Sequence, residues 1–204
     1  MDQPPLWEPD HMSDWRTIGQ FRGTYILCEA GAELILVDQH AAHERIRFEQ
    51  LKRQAAAGRK DSQRLLIPQT VDLDHRQAAA LSEILAGLQN VGLEIEPFGG
   101  STFVVKAAPA VLAGREIAPL IREVAETLAA TGFSAGLEKA LEESLVVMAC
   151  HGTLRANQLL SETEMQHLVR QLGQCADPSH YPHGRPTWVK WDVRTLEKLF
   201  GRIG

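Results

Sequence analysis

Cysteine is scarce in this chain: the 204 residues hold three, Cys28, Cys150 and Cys175. An odd number at such wide spacing makes no disulfide framework and points to a reducing, cytoplasmic setting. Long apolar runs are missing as well. None approaches the roughly 20 residues that cross a bilayer. The chain does not open on a charged segment followed by an apolar one, so neither a membrane span nor a secretory signal is expected. Basic residues are not in excess: 21 Lys and Arg stand against 26 Asp and Glu, a formal charge of −5. Proteins that hold DNA unaided are usually basic, because phosphate neutralisation and counterion release drive that binding. An acidic chain that acts on DNA needs something else to deliver it. Repeats and low-complexity tracts are also absent.

What the sequence does have is apolar material, 44% of the residues, enough for one large domain or two small lobes. Pro4, Pro5 and Pro9 mark residues 1–15 as a linker or disordered end, and suggest a piece of a longer protein. Residues 21–28 and 33–38 read as a β-hairpin, and the doubly apolar run Leu34-Ile35-Leu36-Val37 as a central strand ending at Asp38. A helix is predicted from about His40 to Ala57. A strand over 65–73, Asp74 as an N-cap, a helix with Leu81, Ile84, Leu85 and Leu88 on one face, and strands at 93–97 and 102–108 make a β-α-β-β unit. Helices follow at 117–131, at 137–160 as one or two pieces, and from the capping box Ser161-Glu162-Thr163-Glu164 to about Leu172. A proline-stiffened loop at 177–186, a short strand at 188–191 and a last helix at 193–200 close the chain.

Four segments are candidates for chemistry or contact. In Asp38-Gln39-His40-Ala41-Ala42-His43-Glu44 a strand ends on a carboxylate and a helix opens at once, with His40 and Glu44 at i and i+4 on one face. Imidazole and carboxylate are ordinary zinc ligands; on spacing alone, a helix-capping Asp38 with solvated His40 and Glu44 is the commoner reading. Ala149-Cys150-His151 lies in an apolar helix, where a lone cysteine is usually inert core. His180-Tyr181-Pro182-His183-Gly184-Arg185-Pro186 sets two histidines and an arginine in a stiff loop, which serves equally as a structural turn. Gln63-Arg64-Leu65-Leu66-Ile67-Pro68 offers aliphatics to a partner's groove, or begins a buried strand. The first three together hold the donors a zinc or two-metal site draws on.

These segments resemble the C-terminal domains of MutL-type DNA mismatch-repair proteins over about residues 16–204. Asp38-Gln39-His40-Ala41, then Glu44 and Glu49, matches the family's endonuclease motif in order and spacing. Ala149-Cys150-His151 is similar to its Ala-Cys-basic motif, and Pro182-His183-Gly184-Arg185-Pro186-Thr187 to its metal-loop motif. Phe200-Gly201-Arg202 is similar to its terminal Phe-x-Arg, and Gln63, Leu65, Leu66, Ile67 and Pro68 to its sliding-clamp motif. The resemblance implies an α+β, two-lobed fold: a dimerisation lobe at 16–65 and 137–204 carrying the metal site, with an external regulatory lobe at 66–136 inserted in it. It implies Asp38 and Glu44 as catalytic, and His40, Glu44, Cys150 and His183 as zinc ligands or zinc-site lining. His180 and His151 are further candidates, and Glu49, Arg185, Phe200 and Arg202 support the site. It further implies Zn²⁺ in a structural role, Mn²⁺ for cleavage, and no ATP site. The expected partners are a second copy, the replicative sliding clamp, double-stranded DNA bound weakly by the domain alone, and a MutS-type mismatch recogniser through the full-length protein, at the nucleoid in the cytoplasm. Tyr181 stands where the family usually has a metal-binding cysteine, and a phenol with a pKa near 10 is a poor zinc ligand at neutral pH. Two rival readings are a dimerisation module without nuclease activity and a zinc hydrolase of small substrates.

Overall fold

The computed structural model describes residues 9–57, 61–112, 114–132, 136–151, 158–181 and 184–203, with side chains described from Met12 onward. The protein is of mixed α and β structure and divides into two compact units, residues 1–46 with 153–204 and residues 47–152.

The first unit is built on a four-stranded antiparallel sheet. Its strands β1 (Arg16–Phe21), β2 (Tyr25–Ala30), β3 (Glu33–Asp38) and β7 (Trp188–Asp192) lie in that order. The expected hairpin is therefore the centre of a larger sheet, with β1 added on one side. β3 has its alternate residues Ile35 and Val37 sealed on one face with Ile26 and Cys28 of β2. Helix α1 (Gln39–Ala57) begins in this unit and supplies Ala42 and Ile46 to the same core. The apolar stripe Met165, Leu168, Val169 and Leu172 of α5 (Glu162–Gly173) completes it. Burial pushes the Cys28 thiol up to about 12, so it stays protonated and unreactive.

Two local rules show in α5. Ser161 caps it, its hydroxyl accepting from Glu164 N–H at 3.3 Å while the Glu164 carboxylate accepts from Ser161 N–H at 2.8 Å. The Ser161 hydroxyl and N–H together hold the Glu164 carboxyl below the ordinary glutamate range. This contribution is therefore present above the unfolded-state pKa and disappears as pH falls through the lower folded value. The other end, at Gly173, meets the chain's beginning. Residues Pro9–Asp14, inside the linker expected at 1–15, form a 3-10 turn that seats Met12 in the core, and residues 1–8 of that expectation lie outside the described residues. A Cβ on Gly173 would stand 2.9 Å from Met12 Cβ. Gly173→Ala is expected to lower stability by about 1–2 kcal/mol, crowding outweighing the gain in helix propensity, as read by thermal unfolding.

The second unit carries the expected β-α-β-β order: β4 (Ser62–Asp72), α2 (His75–Asn90), β5 (Glu94–Gly99) and β6 (Thr102–Pro109), followed by α3 (Ile117–Thr131) and α4 (Leu137–His151). The sheet order is β4-β6-β5, all antiparallel. Asp74 caps α2 in a full capping box with Gln77. Leu81 and Leu88 of α2, Ile121 and Val124 of α3, and Phe103 and Val105 of β6 share one core. Leu145 and Met148 of α4 lie in that same core, as do Phe48 and Leu51 of α1. The unit is accordingly wider than the 66–136 expected, because α4 buries its apolar face here rather than in the other lobe. Of the predicted helix at 137–160, α4 runs to His151, residues 152–157 lie outside the described residues, and residues 158–161 are not helical.

Candidate functional site at a strand-helix junction

β3 hands over to α1 within one residue. Asp38 Oδ1 accepts from the N–H of His40 at 2.9 Å and of Ala41 at 3.1 Å, satisfying two donors that a helix start leaves orphaned. The capping reading of Asp38 thus holds, on one of its two oxygens. One turn on, His40 Nε2 lies 3.3 Å from Glu44 Oε1. Glu44 is 6% exposed whereas the His40 side chain is 49% exposed, so the pair has a fixed inner member and an outer member open to a ligand. Next to it, His43 Nδ1 is 2.8 Å from Gln39 C=O. Asp38, His40 and Glu44 are thereby brought to one junction.

Neighbouring backbone clamps this junction on two sides. Gln39 N–H donates to Thr24 C=O at 3.0 Å, and Asp38 N–H to Thr187 C=O at 2.8 Å. The second bond extends the β3–β7 ladder, in which Val37 faces Trp188. It also delivers the proline-rich loop to the acidic strand end. Thr187 is fully buried; its N–H donates to Ser179 C=O at 2.9 Å and its hydroxyl to Pro178 C=O. Inside that closure His180 bridges Pro186, and Tyr181 N–H donates to Arg185 C=O at 2.8 Å. At the loop's foot, burial works to raise the Asp177 carboxyl. The Ser179 hydroxyl and N–H and the charges of Arg45 and His180 outweigh it and hold Asp177 below the usual range. Tyr181 is buried. Pro182 and His183 lie outside the described residues.

The remaining candidates sit as follows. Glu49 is buried, 3.8 Å from Arg53 Nε. Cys150 and His151 belong to the second unit; Cys150 is half-buried, and His151 Nδ1 is 3.1 Å from Glu123 Oε2. His180 Nδ1 is 2.9 Å from Ser179 Oγ. Phe200 follows helix α6 (Val193–Leu199), is 77% exposed and carries the Arg202 guanidinium over its ring at 5.9 Å. Gln63 and Arg64 pair with β6, but residues 65–68 fall in an irregularity of the ladder. There Leu66 is 99% and Ile67 76% exposed, while Leu65 packs against the core.

Among the described residues no group of three or more His, Cys, Asp and Glu side chains gathers as a metal would require. His40 and Glu44 do fit a cation as a converging pair of suitable donors; further donors have to come from elsewhere. Sequence reasoning missed the roles of two residues that lie inside its quoted motifs. Gln39 is buried, its amide bonded to Gln20 and, at 3.3 Å, to Gln158 C=O. Gln20 Oε1 accepts from Leu160 N–H at 3.0 Å. Thr187 is the other. Neither has a local signature, because each role depends on partners distant along the chain.

Residues 18–160 match the family described as the MutL C terminal dimerisation domain. Similar relatives include the DNA mismatch repair protein MutL of Geobacter sulfurreducens, 39% identical over 193 residues, covering 95% of this chain and 32% of the relative. That of Syntrophotalea carbinolica is 42% identical over 187 residues, covering 92% and 30%. That of Sphingopyxis alaskensis is 43% identical over 184 residues, covering 90% and 30%. The chain thus spans about a third of the length of these relatives.

Proposed function

This chain belongs to the MutL C-terminal dimerisation domain family of DNA mismatch repair, and from that membership we propose that it pairs two copies and nicks the DNA backbone with a divalent cation. One observation carries the nuclease reading: Asp38, His40 and Glu44 share a clamped junction, with imidazole and carboxylate already in contact. On this reading Asp38 and Glu44 are catalytic, and His40, Glu44, Cys150 and His183 hold or line the metal, with His180 and His151 beside them. A bound cation, Mn²⁺ for cleavage and Zn²⁺ as a structural ion, supplies positive charge at the phosphoryl oxygen and makes water a better nucleophile. The protein's own part is positional. Asp38 fixes the start of α1, buried Glu44 holds its carboxylate in one place, and the bond to Thr187 sets the metal loop against Asp38. The test is nicking of supercoiled plasmid with Mn²⁺, with Asp38→Asn as control, since asparagine still caps a helix. Loss of nicking in the variant is expected.

The two compact units correspond on this reading to a dimerisation lobe and an inserted external lobe. The second copy covers the outer face of the four-stranded sheet. Leu27, Leu36 and Val189 form one row across it and Leu34 and Trp191 another, on the side opposite Ile26 and Val37. All five retain solvent exposure, Val189 42% of its surface. Five apolar side chains grouped this way, bordered by Glu29 opposite Leu34, suit an interface better than open water.

An acidic domain repels the phosphates it has to cut, so delivery falls to the sliding clamp, reached through Gln63, Leu65, Leu66, Ile67 and Pro68. Leu66 and Ile67 support this, projecting from an irregular stretch of β4. Leu66→Ala with Ile67→Ala is expected to weaken clamp binding at least about 10-fold by surface plasmon resonance, with circular dichroism unchanged because neither is core. Leu65 is the less clean probe, since it packs inward. The MutS-type recogniser and ATP are assigned to the full-length protein.

A second reading, pairing without cleavage, is favoured by Tyr181: it is buried, and it replaces a thiolate with a phenol. A dimer that never nicks with Mn²⁺ establishes that reading instead.

A further inference from the structure

Two arginines sit at the same end of the sheet as the Asp38 junction. β1 and β2 are joined through Arg22 and Gly23, at φ 52° and 64°, where Thr24 N–H donates to Phe21 C=O at 3.1 Å. Two successive positive φ values are what a type I′ hairpin turn requires, and Asn-Gly or Gly-Gly normally meet that need. Arg22 is the one non-glycine residue at positive φ among those described. Turn conformation therefore does not favour arginine here, which directs attention to what its side chain can do.

The turn is also held in place. Thr24 Oγ1 donates to Arg22 C=O at 3.2 Å, Thr24 C=O accepts the Gln39 N–H at 3.0 Å, and Tyr25 is paired with Asp38. On the other side of Asp38, the loop closed by Thr187 carries Arg185, whose C=O accepts the Tyr181 N–H. Both arginines are exposed. Arg16, Lys52, Arg53, Lys106 and Lys190 each lie beside a carboxylate. Arg22 and Arg185 form no ion pair with any described residue. A chain of net charge −5 thus places two uncommitted guanidiniums on turns tied to either flank of its acidic strand end.

We propose that Arg22, with Arg185 across from it, binds backbone phosphates of duplex DNA at the Asp38 junction. That these phosphates flank a bond to be cut rests on the nuclease reading; the contact itself does not. Guanidinium suits the task, being permanently charged and able to donate two parallel hydrogen bonds to one phosphate.

The test is fluorescence anisotropy of a labelled duplex titrated with the intact dimer, without divalent cation so that nothing is cut, over a series of salt concentrations. Arg22→Asn suits the positive φ and preserves the turn. It is expected to weaken binding about 5-fold at low salt and to reduce the slope of log affinity against log salt by about 1. Arg22→Lys is expected to recover most of the slope. Adding Arg185→Gln to Arg22→Asn is expected to reduce it by about 2. An unchanged slope in Arg22→Asn overturns the proposal whatever nicking does. A reduced slope in a chain that does not nick keeps the phosphate contact and removes the nuclease reading. A weaker dimer with an unchanged slope, seen by sedimentation, overturns it in favour of a contact between copies.

Discussion

Glu44→Gln is expected to reduce Mn²⁺-dependent nicking of supercoiled plasmid at least about 100-fold while leaving the dimer folded. The magnitude follows from position: losing a residue that only supports a metal ligand costs about 10- to 100-fold, so losing a ligand itself costs no less. Glutamine keeps the volume and most of the packing of a side chain that is 6% exposed, and removes the charge. It still accepts a hydrogen bond from His40, so the pair survives as geometry but not as an anionic donor set. Glu44→Lys is expected to abolish nicking too, but it places a cation in a buried position and costs stability as well. Circular dichroism and sedimentation separate the two effects. Full activity in Glu44→Gln with an intact fold removes Glu44 from the site.

The second large effect concerns pairing. Val189→Asp is expected to raise the dimer dissociation constant at least about 100-fold, as measured by sedimentation equilibrium. Val189 lies on the edge strand β7, in register with Leu36 and Leu27, and is 42% exposed in the single chain. A carboxylate there is hydrated in the monomer and tolerated. In the dimer it is desolvated against the partner's apolar rows, and central interface positions carry 2 kcal/mol or more, roughly 30-fold. An added desolvated charge takes the loss further. A dimer of unchanged strength places the interface on another surface.

The parts of the fold that were legible obey local rules. Asp74 and Ser161 announce their capping boxes within four residues, and α2 and α3 carry their stripes at helical spacing. β1 was missed because its pattern is broken: the register slips between Thr17 and Gly19, so the period of two never runs long enough to read. α4 was legible as a helix but not as a member of the second unit, because periodicity shows which face is apolar and not what will cover it. The site divides the same way. His40 and Glu44 are one turn apart, so spacing put them on one face beside Asp38, but their assignment to a site came from the family resemblance. The attachment of the proline-rich loop comes from pairing between β3 and β7, strands from opposite ends of the chain, and the bond between Asp38 and Thr187 extends it. No local window contains that information. The paired amides of half-buried Gln20 and buried Gln39 are equally non-local, each completed by the backbone at Gln158 or Leu160.

The central claim is that the α1 start is a cation site. Anomalous scattering from crystals of the chain grown with Zn²⁺, and separately with Mn²⁺, tests it directly. A peak shared by the Glu44 carboxylate and the His40 imidazole is the expected result, and it should vanish in Glu44→Gln. Crystals that hold the ion elsewhere, or hold none while His40 and Glu44 remain in contact, contradict the claim and leave a protein whose task is to join two copies.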